Sequence, residues 1–199
     1  MKWTVEFTSR ARKQKEKLPV KVREVLYQLV REIEKAGPAR GDWSNYSNLS
    51  DTEHHCHLKK GKPTYVAVWR ESQGEIRLIE VIYAGSHEKR HTDDEMITLR
   101  LHVHRSNAAK IKEFVETIET GEERNYTVAE VFPEYEGKGQ QVAIRAYRYR
   151  ENLTQRQLSV LTLIPQRHIS EMENGKRPIG KEMAKRLSKA LNVDYKVFL

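Results

Sequence analysis

The stretch LTQRQLSVLTLIPQRHISEMENGKRP, residues 153–178, reads as a helix, a short turn and a second helix. Thr154 stands where an N-cap hydroxyl belongs, and Gln157 at the third helical position completes a capping box. Leu158 and Leu161 begin an apolar face, and Leu163 and Ile164 make an apolar turn. Pro165 occupies a first helical position, Ile169 and Met172 repeat at helical spacing, and Gly175 stops the second helix. With Ile169 and Met172 turned to the core, Gln166, Arg167, His168, Ser170 and Glu171 face outward near the helix start. Such side chains suit base edges in a major groove, so sequence-specific DNA binding is the expectation.

Charge points the same way. Residues 137–199 carry 13 Lys and Arg against 5 Asp and Glu, whereas residues 96–136 carry 5 against 8. The basic excess lies where phosphate neutralisation would use it. With 199 residues, 38% of them hydrophobic and 32% charged, the composition is that of a globular chain with room for two small domains. No run of apolar residues is long enough to span a bilayer, and MKWTVEFTSR lacks the apolar core of a signal peptide, so a cytoplasmic location and no membrane partner are expected. Cys56 is the single cysteine, which excludes an internal disulfide and a cysteine-based zinc site; its place in an alternating strand predicts burial. No glycine-rich phosphate loop occurs, so no cofactor and no small-molecule ligand are implied.

The residues LTQ at 153–155, Leu158 and IPQRHISEMENGKRPIGKEMAKRL at 164–187 resemble the Xre or phage-repressor helix-turn-helix family, especially HigA-type antitoxins, over about residues 140–199. The resemblance implies that Gln155 contacts a phosphate at the start of the first helix, that Gln166, Arg167 and Glu171 read bases, and that Asn174, Lys176 and Arg177 contact phosphates after the recognition helix. It departs from the family at Leu163, which stands where the turn usually has glycine; a left-handed backbone there would be strained.

The first half has a different pattern. Trp3, Val5 and Phe7 alternate as a strand, Ser9 to Lys17 reads as a helix with one solvated face, and Pro19 can start a helix with an apolar stripe from Val22 to Ile33, stopped by Gly37. Strand-like runs follow at His54 to Lys59, Thr64 to Trp69 and Ile76 to Tyr83, in the order β, α, α, β, β, β. Five of the eight histidines lie in residues 1–95. His55, His57 and Lys59 alternate on one strand face, and His87, Lys89, Arg90 and His91 cluster after the last strand. Cleaving RNA through its own 2′-hydroxyl needs a base, an acid and positive charge on the phosphate. His57 or His87 can move protons near neutral pH while Lys59 and Lys89 stabilise phosphate, with base and acid left unassigned. An equally simple reading makes these histidines half-buried strand residues and Lys59 to Lys62 a solvated hairpin turn.

The order of elements, with HHCHLKKGKPTYVAVW and EIRLIEVIYAGSHEK, resembles the RelE/HigB branch of the RelE/ParE toxin superfamily over most of residues 1–92. The resemblance implies a messenger-RNA endoribonuclease acting on the ribosome, with His55, His57 and His87 at positions where members carry cations. Thr64 stands where an arginine is common, and Thr92 lies near the missing C-terminal tyrosine.

In the middle, Ile97 to Val103 alternates as a strand, residues 107–120 read as a helix, Thr127 with Glu130 forms a capping box, and Pro133 to Gln140 reads as a linker. The expected architecture is α+β: a RelE/HigB-like domain at 1–95, a toxin-contacting or dimerisation segment at 96–136, and an all-α helix-turn-helix domain at 137–199. Two functions fit. One is a toxin and its antitoxin in a single chain, in which the second half neutralises the first and, as a homodimer on an inverted repeat, represses its own operator. The other is a plain transcription regulator whose N-terminal domain is a non-catalytic dimerisation or sensor module. A ParE-like action on DNA gyrase is a third.

Overall fold

The computed structural model describes residues 3–43, 45–71, 78–86, 107, 110 and 124–199. The strand expected at 97–104, most of the helix expected at 107–120, and His87 and Lys89 lie outside the described residues. The chain opens with strand β1 (Thr4–Phe7), helix α1 (Ser9–Glu16) and helix α2 (Val20–Ala36). Strands β2 (Ser47–Asn48), β3 (Glu53–His57), β4 (Tyr65–Glu71) and β5 (Leu78–Ser86) follow, so the expected order is present with the two-residue β2 added. After β6 (Tyr126–Thr127) come α3 (Val128–Val131), a 3-10 turn (Pro133–Tyr135), α4 (Gly139–Arg150), α5 (Gln155–Thr162), α6 (Gln166–Glu173), α7 (Lys181–Leu191) and a final 3-10 turn (Tyr195–Phe198).

Local chemistry sets the element ends. The Thr8 hydroxyl accepts from the Ala11 amide at 3.1 Å and starts α1. Gly37, at φ +94°, ends α2, and a Cβ built there would lie 2.9 Å from Trp3 Nε1; glycine both permits the turn and lets the indole dock. The sheet runs β2-β3-β4-β5-β1-β6, with β1 parallel to β5 and the other pairs antiparallel.

Register divides β3 and β4 between two faces. His54 pairs with Trp69 and Cys56 with Ala67; Trp69, Cys56 and Ala67 belong to the main apolar core and His54 is buried beside them. His55 pairs with Val68 and His57 with Val66 on the opposite face, where the two valines form a separate buried cluster.

Helix α2 is covered from two sides. Val22, Val25, Leu26, Leu29, Val30 and Ile33 are at most 1% exposed, and the helix also buries Glu24 and Gln28. Those polar residues belong to the side that packs along α4, where Arg145 Nε donates to Glu24 Oε1 at 2.6 Å. One continuous apolar cluster consequently runs from Val5 to Phe198. The linker expected at Pro133 to Gln140 is not found: Tyr135 is 6% exposed, beside Phe132 at 1%, whose ring meets Phe7 at 5.6 Å and Tyr27 at 5.5 Å edge to face. Two aromatics in a polar stretch supply the burial that charge and glycine content concealed.

Polar side chains also join α2 to α4. Tyr147 Oη donates to Glu32 Oε1, and Trp43 Nε1 donates to Glu32 Oε2 at 2.8 Å. The buried Arg150 guanidinium lies 5.0 Å from the Trp43 ring and 4.9 Å from that of Tyr147, and its Nη2 donates to the Leu191 carbonyl at 2.8 Å. Burial pushes the Glu32 carboxyl above its ordinary value near 4.5 despite these donors. Between that value and the raised native one, the folded chain holds the extra proton. The contribution of Glu32 to stability is therefore fully present below about pH 4.5 and is lost as pH rises through the raised native value. Urea unfolding of the native chain and of Glu32→Gln across this window should give a stability difference that declines with rising pH. A pH-independent difference would refute the shift.

Candidate nucleic-acid interface

Helices α5 and α6 with the turn between them form the motif expected at residues 153–178. Thr154 Oγ1 accepts from the Gln157 amide at 3.2 Å, and the Gln157 side chain accepts from the Thr154 amide at 2.8 Å, completing the capping box. Ile164, Ile169 and Met172 are buried, as their spacing predicts. Leu161 and Leu163 are not: they are 59% and 76% exposed. Thr162 takes the buried place, its hydroxyl donating back to the Leu158 carbonyl at 2.7 Å. Leu163 has φ +55° and ψ +26°, the left-handed conformation in which a non-glycine residue costs about 1–2 kcal/mol.

Below the motif, Arg148 and Glu173 clasp the first and last turns of the module. Arg148 Nε and Nη2 donate to the two Glu173 oxygens at 2.5 and 2.9 Å, and Nη1 donates to the Leu153 carbonyl at 2.8 Å. Gln155 Nε2 donates to the same carboxylate at 2.8 Å, so the start of α5 is tied to the end of α6. Arg145 donates to the Glu173 backbone carbonyl. The pairing of Arg148 with Glu173 has no signature in the sequence, because 25 residues separate them.

On the outer face, a concavity of about 620 Å³ is lined by Gln155, Gln166, Arg167, Ser170, Glu171, Asn174 and Lys176. It gathers the residues expected to meet bases or phosphates except His168, which is half-buried with its Nδ1 turned inward, and Arg177, which reaches it through Glu171. Arg167 Nε and Arg177 Nε donate to the two Glu171 oxygens at 2.9 and 2.8 Å. Their hydrogen bonds, that of Arg177 first, hold the Glu171 carboxyl below its ordinary range, so it stays ionised and keeps both guanidinium groups over the groove. Arg167 remains highly exposed, with 87% of its side chain accessible. Asn174 Nδ2 donates to the Ser170 carbonyl at 2.8 Å, and Gly175 turns at φ +70° to lead into exposed Lys176.

The cationic floor expected on β3 is only partly assembled. His55 and His57 share a face, with ring centroids 6.1 Å apart, and both are half-exposed. Ser47 Oγ lies 3.0 Å from His55 Nδ1, and Asn45 Nδ2 donates to His57 Nδ1 at 2.9 Å. Lys59 does not join them. It is 8% exposed, its Nζ donates to the Lys62 carbonyl at 3.1 Å, and it lies 5.5 Å from the Tyr149 ring, because the strand ends at His57 and the chain turns there toward α4. His54 is buried in a stack with Tyr46 and Trp69, its Nε2 3.0 Å from Glu71 Oε1. Cys56 is fully buried, as expected, and that burial pushes its thiol far above the usual range. Among the described residues no group of histidine, cysteine and carboxylate side chains could hold a metal ion, and no helix is long and apolar enough to cross a membrane.

No curated protein and no solved structure matches the chain significantly. Residues 144–198 match the family model described as helix-turn-helix, and this part of the chain is a DNA-binding module of the kind found in transcription regulators.

Proposed function

We propose that the chain is a sequence-specific transcription repressor that binds an inverted-repeat operator as a homodimer, α6 lying in the major groove. The supporting observation is the single outer concavity that collects Gln155, Gln166, Arg167, Glu171, Asn174 and Lys176. Gln166, Arg167 and Glu171 read bases, while Gln155, Asn174, Lys176 and Arg177 hold phosphates. The division into residues 1–95, 96–136 and 137–199 assigns DNA reading to the last part. Arg167→Ala should cost about 1–3 kcal/mol and relax specificity at one base, whereas Lys176→Ala should weaken all sequences alike and lower the salt slope by about one. Fluorescence anisotropy against a selected operator and a scrambled duplex, at several salt concentrations, measures both. Equal losses on the two duplexes for Arg167→Ala would remove it from base reading.

A second reading is favoured by the way the helix-turn-helix module covers the first half. Helix α4 lies along α2, and Tyr149 closes over Lys59. Burial of this kind is what a HigA-like antitoxin would need to silence a RelE/HigB-like ribosome-dependent endoribonuclease joined to it, with the tether holding inhibition at high effective concentration. In that reading His55, His57, His87 and Lys89 work on messenger RNA, and Lys59 is occluded until the halves part. Co-expressing residues 1–95 and 96–199 as two chains and then degrading the second should arrest growth with RNA cleavage. Normal growth while a folded first chain persists would leave the repressor alone.

A further inference from the structure

Away from the DNA face, two concavities share one wall. The first, of about 510 Å³, runs between β1, α2 and α3; Trp3, Tyr27 and Phe132 supply its rings and Glu34 and Glu136 its carboxylates. The second, of about 440 Å³, continues past the shared Tyr27, Arg31 and Gly137 to the start of α4 and the last 3-10 turn. Lys35, Lys138 and Lys196 converge there with Arg31, and no carboxylate side chain occurs among its described lining residues. Arg31 pairs with Glu34 at 2.7 Å and Lys138 Nζ donates to the Glu134 carbonyl at 3.0 Å, while among the described residues no carboxylate side chain pairs with Lys35 or Lys196.

The two ends call for opposite chemistry. Cations drawn from three separate segments repel one another, a cost that a bound polyanion lowers, and lysine and arginine are phosphate binders. At the other end, the partly exposed Trp3 and Tyr27 offer ring surface above buried Phe132, and the carboxylates beside them accept from N–H groups. Each concavity falls in the size range of small-ligand pockets.

We infer that this continuous groove binds a nucleotide, its base against Trp3 and Tyr27 with N–H groups toward Glu34 and Glu136, and its phosphate among Lys35, Lys138 and Lys196. The site is independent of the DNA-binding face and does not rest on the repressor reading. It needs no glycine-rich loop, because side chains rather than backbone amides meet the phosphate.

Isothermal titration of the full chain at low salt tests it, with AMP and GMP in turn as probes and adenosine and inorganic phosphate as the two halves of the first. One equivalent of AMP or GMP should bind, AMP or GMP being at least about tenfold tighter than either half-ligand. The double substitution Lys35→Glu with Lys196→Glu, at exposed positions, should weaken nucleotide binding at least about tenfold while leaving the melting temperature and the adenosine heat unchanged. Absence of binding by both nucleotides, nucleotide affinity no greater than that of phosphate, or unchanged binding in the folded double variant would each overturn the assignment.

Discussion

Arg148→Ala is expected to lower the unfolding free energy by about 3–5 kcal/mol. The Glu173 side chain is 4% exposed, and Arg148 supplies the guanidinium that faces both of its oxygens. Truncation leaves a buried carboxylate with, among the described residues, the Gln155 amide on it, and frees the Leu153 carbonyl as well. An unpaired buried charge costs far more than the pair itself contributes. The double variant Arg148→Met with Glu173→Leu should therefore recover most of the loss, since both charges leave together and the volume is kept. Urea unfolding followed by circular dichroism measures the two differences. A single-variant loss below about 1 kcal/mol would mean that water reaches the pair and that it behaves as a surface ion pair.

Phe132→Ala should cost a similar amount, about 3–5 kcal/mol, as a deletion from a close-packed core. The ring is 1% exposed and meets Phe7, Tyr27 and Tyr135, with Lys15 Nζ 4.9 Å from its centroid. A residue at the edge of a solvated linker would change stability by no more than about 0.5 kcal/mol, so the size of the effect separates the two pictures. It also reports on cooperativity. All three tryptophans, Trp3, Trp43 and Trp69, precede β6, whereas most of the helix after that strand belongs to the DNA-binding module. Because one apolar cluster runs through both, tryptophan fluorescence and the helical signal should shift to lower urea together. Separate transitions would show that the regions on either side of α2 unfold independently.

Much of the DNA-binding face was legible in the linear pattern. Capping at Thr154, the spacing of Ile169 and Met172, and the outward Gln166 and Arg167 are local matters, decided within one or two helical turns. Leu161 and Leu163 lie exposed despite their place in the apolar pattern, since hydrophobicity says nothing about which side of the turn meets the core. In the first half, the strands and helices could be read from alternation and from the stripe on α2. The open face of β3 was legible too, with Cys56 buried and His55 and His57 opposite, but not where the strand would end, and that end at His57 takes Lys59 off the shared face.

The sequence by itself determined helix α6, the capping of α5 before it, the basic balance of residues 137–199 and the order of elements in the first half, all properties of short-range spacing and composition. Only the tertiary structure decided that Tyr135 packs in the core beside Phe132 rather than lying in a linker, that Lys59 turns under Tyr149, and that Arg148 meets Glu173. Those outcomes depend on pairing surfaces far apart in the chain. The free energy of burying an aromatic ring or an ion pair is set by what lies opposite it, which no local pattern records.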